Sequence, residues 1–451
     1  MTSDRLARFR ELLQTEDRDH LKAECASLFA DGIEHREILQ VILSRASQGS
    51  VADPSWLPAA STINLSDSLV HVRLQSIENR HKMVAFGQLN PEFRRIERPP
   101  LIQGSLAEVH ARFQDASIGN DWQLAERCLL TICDQSGIES VFETVLNCLM
   151  ESRYLGVTSG PWWSGIRHLA IGCQIELWQE FGENAMQEIA CYLGAKQCTK
   201  MVNPPGEDRA RAMAILEEQF ELLDSPMGKS TAFDESRFKT QVGSGDVSVA
   251  FRAIGDAWNA GVASEQIDLA LTMLCVERIL RGGTGRREGE AANWDNLKRE
   301  LQATGVIRRA KVISEQLAYK ASMHAAWQIV RHGDEGLAAE IPEIQKLSEG
   351  GTCDEDGQID QVIQAIESAH SSEAIHQASN FMNGGHNPEH LLREMILWVN
   401  MNCKGGGYYA GQRGMIDAWY LAESHPERNR IPLALAGWMA DYRKQHFKHE
   451  K

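Results

Sequence analysis

Apolar residues recur at spacings of three and four along most of this chain. "REILQVILSRA", "SVFETVLNCLMESRYL", "NAMQEIACYLGAKQ", "ARAMAILEEQFELL", "QIDLALTMLCVERIL", "QIDQVIQAIESAH" and "EHLLREMILWVNMN" each present one apolar stripe to a helical period. Runs that alternate apolar and polar, as a half-buried strand requires, are almost absent. The punctuation agrees with helices: Asn387 followed by Pro388 reads as an N-cap and a first-position proline, and Gly282 with Gly283 as a C-terminal stop. The pattern predicts an all-α protein.

The helices also recur as a unit, in which a helix ends near a glycine, a few polar residues follow and an amphipathic helix begins. Four copies are visible: "CASLFADGIEHREILQVIL", "CDQSGIESVFETVLNCLM", "GDAWNAGVASEQIDLALTMLCVERIL" and "SNFMNGGHNPEHLLREMILWVNMN". They lie too far apart for a solenoid period. The expectation is a multi-helix, repeat-like architecture in two similar halves. Residues 1–200 would form the N-terminal half and 246–451 the C-terminal half. Pro, Gly, Ser and charge gather in 201–245, which reads as a connector with one helix.

Composition narrows the function more than it identifies it. The 451 residues are 43% hydrophobic, long enough to bury a large core, and carry a formal charge of −16. That charge opposes both the phosphates of nucleic acid and an anionic membrane surface. The N-terminal "MTSDRLARFRELLQTEDRDH" has no apolar stretch of a targeting signal, and no window approaches a membrane span, so a cytoplasmic location is expected. Ten cysteines are scattered without a C-x-x-C spacing, mostly inside apolar helical patterns. They read as small buried hydrophobes in a reducing compartment.

Several stretches imitate functional motifs. "CKGGGYYAGQRG", Cys403 to Gly414, contains a G-x-G-x-x-A spacing, but an amphipathic helix precedes it where a dinucleotide site needs a strand. It reads as a turn between helices, with Tyr408 and Tyr409 as the residues able to line a pocket. "HNPEH" matches H-x-x-E-H, yet Pro388 belongs at the first helical position and leaves His386 outside the helix. "TCDEDGQIDQVI" resembles a calcium loop, but Ile363 stands where a bidentate glutamate is needed and Thr352 where a carboxylate is, so it reads as a solvated turn before a helix. "RGGTGRREGEAANWDNLKREL" carries four arginines in an acidic protein; it is either a solvated loop or a receiver for an anionic ligand. In "EQLAYKASMHAAWQIVRH", Tyr319, Met323, Trp327 and Val330 fall close to one stripe, with Lys320, His324 and Arg331 between them. His324 is either a satisfied core histidine or a ligand. No motif in the chain encodes a cofactor site or a metal site.

"AGVASEQIDLALTMLCVERIL", "NWDNLKREL", "MHAAWQIVR", "GGHNPEHLLREMILWVNMNCKGGGYY" and "SRYL" together resemble a bacterial all-helical family of uncharacterised proteins, some of which carry a Rieske iron–sulfur domain on the same chain. The resemblance is loose, runs over most of the length and is strongest from about Gly245 onward. It implies a metal- or oxygen-handling pocket near loops where aromatic-histidine pairs recur. Trp294 and Asp295 match a Trp-Asp pair of that family, and His324 matches a histidine of another segment. Tyr408 and Tyr409 stand where the family tends to show Phe-His, and His71 and His168 correspond to N-terminal histidines of it. No Cys-His spacing for a Rieske cluster is present, so electrons would come from a partner, a redox protein.

Three readings follow. In one, the chain is an acidic all-helical scaffold or auxiliary protein that engages a protein partner and has kept the fold of a redox-associated family without its site. In another, it is an oxidoreductase with a pocket between the helical halves, where His324 and Asp295 serve metal ligation or proton transfer and Tyr409 positions substrate. In a third, it binds a small molecule without turnover. Histidines converging to roughly 5 Å around a concave pocket favour the oxidoreductase. A broad exposed apolar patch favours the scaffold.

Overall fold

A computed structural model describes residues 2–12, 18–46, 98–155, 166–199, 205–229, 232–284, 294–333, 354–402 and 406–446. All of the regular structure among them is helical. The chain divides into two compact units: Met1–Ser225 with Val306–His324, and Pro226–Gly305 with Ala325–Lys451. The first break falls within 201–245. That segment holds two helices rather than one, because Asp234 caps a second at Arg237 N (3.0 Å) and Phe238 and Val242 bury its inner face.

The first unit contains α1 (Thr2–Leu12), α2 (Arg18–Ala30), α3 (His35–Ala46), α4 (Leu106–Ile118), α5 (Trp122–Ser136), α6 (Ile138–Leu149), α7 (Ile166–Phe181), α8 (Glu183–Cys198) and α9 (Glu207–Leu223). Ser105 and Glu108 open α4 with a reciprocal capping box, each satisfying the other's orphan backbone N–H. α6 stops earlier than its apolar period predicts, at Leu149, and "SRYL" forms a separate 3-10 turn, Ser152–Tyr154. α5, α6 and α8 meet over Leu129, Val141, Val145, Leu146 and Leu193, all buried. Gly194 makes that meeting close: a Cβ there would stand 2.7 Å from Val145 Cγ2 and 3.2 Å from Leu129 Cδ1.

The second unit contains α10 (Glu235–Val242), α11 (Val247–Asn259), α12 (Ser264–Thr284), α15 (Glu355–Glu367), α16 (Ser371–Asn383), α17 (Pro388–Asn402), α18 (Gly406–Leu421) and α19 (Arg430–His446). α13 (Trp294–Lys311) and α14 (Glu315–His332) contribute residues to both units. α19 is the central helix of the second unit. It buries Ile431, Leu433, Leu435, Trp438 and Met439 on several sides and packs on α12, α15, α16, α17 and α18.

Two of the glycines in the recurrent helix–glycine unit close their helices in the left-handed conformation. Gly32 (φ 78°) and Gly261 (φ 69°) let Ile33 N reach Leu28 O and Val262 N reach Ala257 O, both at 3.0 Å, which satisfies carbonyls the helix end would leave orphaned. Gly282 and Gly283 do not act in this way. α12 continues to Thr284 because its buried face, through Ile279, Leu280 and Gly282, outweighs the poor helical propensity of the pair.

"CKGGGYYAGQRG" is likewise corrected. From Gly406 onward it is the start of α18 and not a turn. Gly414 serves packing there, since a Cβ would stand 2.9 Å from two atoms of the buried Leu301 side chain on α13. Asn387 and Pro388 open α17 as expected, Asn387 Oδ1 accepting from Glu389 N at 3.0 Å. Asp354 in the calcium-like stretch is the N-cap of α15, accepting from Gly357 N at 2.8 Å.

Candidate functional site

The end of α6 organises the polar interior of the first unit. A helix terminus leaves carbonyls without intrahelical partners, and here two histidines from other helices supply donors. His324 on α14 places Nε2 3.1 Å from Met150 O, and His168 on α7 places Nε2 2.8 Å from Leu149 O. A carbonyl only accepts, so in each ring Nε2 carries the proton. The rings meet at a centroid distance of 5.1 Å and an angle of 53°. Burial, reinforced by His168, pushes the His324 pKa down to about 3 against the hydrogen bond it donates to Met150 O, which raises it. His324 is a neutral, hydrogen-bonded core histidine whose Nε2 is committed to the backbone. Among the described residues no group of three or more His, Cys, Asp or Glu side chains is placed to hold a metal ion.

Beside this cap lies a cleft of about 590 Å³, a size typical of small-molecule sites. α4 contributes His110, Phe113 and Gln114, and α6 contributes Glu143, Thr144, Asn147 and Cys148. Glu151 follows the end of α6, and Lys320 comes from α14, one turn before His324. Burial shifts both charged groups toward neutrality. It pushes Lys320 down, opposed by Asp224 and Glu151, and pushes Glu151 up, opposed by Arg153. The Lys320 ammonium stands 5.3 Å from the centre of the Phe220 ring, and Arg153 Nε pairs with Glu151 Oε2 at 2.7 Å.

A polar cluster continues inward from Cys148. Ser117 Oγ lies 3.2 Å from Cys148 Sγ and donates to Cys198 O at 3.0 Å, and Arg153 donates to Ser117 Oγ at 2.9 Å. The Tyr154 hydroxyl also donates to Cys198 O. These groups come from α4, α6, the 3-10 turn and α8.

The residues singled out in the sequence fall in both units. His168 and His324 come together in the first unit. Trp294 and Asp295 lie in the first turn of α13, and Tyr408 and Tyr409 in the first turn of α18; all four belong to the second unit. His71 and most of the arginine-rich stretch, 285–293, lie outside the described residues. His386 precedes α17 and stacks on Phe381 at 5.0 Å, while His390 Nδ1 contacts Glu355 Oε1 at 3.0 Å. The sequence reading did not single out Glu151, Cys148 or His110. Their only signal is polarity on the outer face of an apolar period, which many solvated residues share. Among the described residues no helix is long and apolar enough to cross a membrane.

No protein-family model, curated protein or solved structure matches this chain.

Proposed function

We propose that this all-helical protein binds a small zwitterionic molecule, one carrying an amino group and a carboxylate, in the cleft of its first unit. The observation that carries the reading is the cleft itself, which sets the ammonium of Lys320 among the carboxylates of Glu143 and Glu151 over an apolar floor at Phe113. Partly desolvated charges of both signs recover lost solvation by pairing with a ligand of complementary charges. The hydrogen-bonding rim of Gln114, Thr144 and Asn147 suits such a polar molecule.

Isothermal titration against free α-amino acids, with matched dicarboxylates and diamines, tests the reading. Binding by one or more amino acids that weakens at least tenfold in Lys320→Met supports it, tenfold being about 1.4 kcal/mol. Equal affinity in the variant, or no heat from any compound of the set, removes it.

A further inference from the structure

We infer that the cleft of the first unit selects a basic α-amino acid of the lysine, ornithine or arginine type, holding its carboxylate at Lys320, its α-ammonium at Glu151 and its distal cation at Glu143. The inference rests on the reading of this cleft as a site for a zwitterion and adds the distal group to it.

Ion pairing within the protein leaves three charged groups of the cleft with open valences. The Lys320 ammonium stands over the Phe220 ring, 5.3 Å from its centre, and makes no salt bridge among the described residues. Glu151 is half engaged: its Oε2 pairs with Arg153 Nε at 2.7 Å, which leaves Oε1 to accept from a ligand. Glu143, exposed at the other end of the cleft, pairs with no cation among the described residues. Lys320 and Glu151 are half-buried and have lost part of their water. A carboxylate and an ammonium carried on one carbon, the head group of an α-amino acid, replace that water at both.

The spacing of the two glutamates calls for a second ammonium. Glu143, Asn147 and Glu151 follow at intervals of four along α6 and its continuation, because Met150 keeps a helical backbone (φ −84°, ψ −3°). Eight residues of helix rise about 12 Å, so one ammonium cannot pair with both carboxylates. Two ammonium groups joined by an aliphatic chain the length of lysine's, with N···O contacts of about 2.8 Å at each end, cover a span of that order. The buried Phe113 ring lines the cleft and offers the chain an apolar surface to lie on.

His110 adds an acceptor at the Glu143 end. Thr144 donates its single hydroxyl proton to Ser140 O at 2.6 Å, so in the 3.5 Å contact between His110 Nδ1 and Thr144 Oγ1 the ring is the donor. His110 Nε2 then carries a lone pair, which suits an ammonium and repels a carboxylate. Lys320 is the only cation among the described residues lining the cleft, so the Glu143 end offers nothing to a second carboxylate. The formal charge of −16 on the chain further favours a ligand of net positive charge over a neutral or acidic one.

Isothermal titration of the full-length protein with lysine, ornithine and arginine is the test, set against three compounds that each lack one charged group of lysine. Norleucine has no distal ammonium, ε-aminocaproate no α-ammonium and cadaverine no carboxylate. The tightest of the basic amino acids should bind about fivefold more tightly than norleucine, and more tightly than the other two compounds. In Glu143→Gln the ratio of basic amino acid to norleucine affinity should fall to about one. The inference is overturned if norleucine, ε-aminocaproate or cadaverine binds as tightly as every basic amino acid, or if the ratio is unchanged in Glu143→Gln. Norleucine and lysine binding equally, both weakened in Lys320→Met, would remove the distal contact and leave the zwitterion site standing. No heat from any α-amino acid would remove both. The ligand series on the unaltered protein decides the matter even where a variant fails to fold.

Discussion

Acid should destabilise the first unit through a single ring, His324, and the size of the effect follows from where the ring is buried. In the unfolded chain a histidine titrates near 6.5; in the folded protein burial holds His324 down to about 3. Between those values the unfolded state binds a proton that the folded state does not. Stability therefore rises with pH across this window and falls as pH drops from 6.5 toward 3. At pH 5 the unfolded side chain is almost fully protonated and the folded one almost fully neutral, so the ring lowers stability by about 2 kcal/mol relative to pH 7. That figure depends on the unfolded pKa and barely on the folded one, provided the latter stays well below 5. His324→Gln keeps a donor for Met150 O and has nothing to titrate. Urea unfolding of both proteins at pH 7 and pH 5 isolates the effect, since all other titrating groups are shared. The unaltered protein should lose about 2 kcal/mol more than the variant between the two pH values. Equal losses would refute the placement of a neutral, dry ring at the end of α6.

Two predictions concern the second unit. Glu300 is fully buried, accepts from Arg278 Nε at 2.8 Å and contacts His332 Nδ1 at 3.0 Å; Glu300→Gln removes the carboxylate that balances a buried guanidinium and should cost about 3–5 kcal/mol in urea unfolding, while Arg278→Met with Glu300→Leu recovers most of it. Ala369 closes α15 with φ 58°, where a Cβ is strained, so Ala369→Gly should raise stability by about 0.5–1 kcal/mol and raise the thermal midpoint; a lowered midpoint would contradict the strain.

The local features were legible because their causes are local. The three-and-four spacing of apolar residues places α3, α8, α9 and α17 nearly residue by residue, since one face of each has to be dry whatever covers it. Asn387 and Pro388 are recognisable as a cap because the orphan N–H groups and the fixed proline φ lie within a few residues of each other. Glycines are less decisive. Gly32 and Gly261 end helices in the left-handed conformation, whereas Gly282 and Gly414 are carried inside helices, and nothing local tells the two uses apart. Gly414 is fixed by the Leu301 side chain of another helix, and Gly194 by Val145, neighbours that spacing along the chain does not reveal.

The site depended on tertiary structure almost entirely. Cys148, His168 and Lys320 each sit on a plausible helix face in the sequence, but only folding brings them around the end of α6 from three different helices. His324 shows this most clearly: its sequence left open a ligand or a core histidine, and the choice was made by Met150, whose carbonyl lies at the end of a helix more than half the first unit away along the chain. Secondary structure answers to neighbours a turn apart and is written in the periodicity. The state of a buried polar group answers to whichever distant atoms replace its water, and that is decided only when the helices pack.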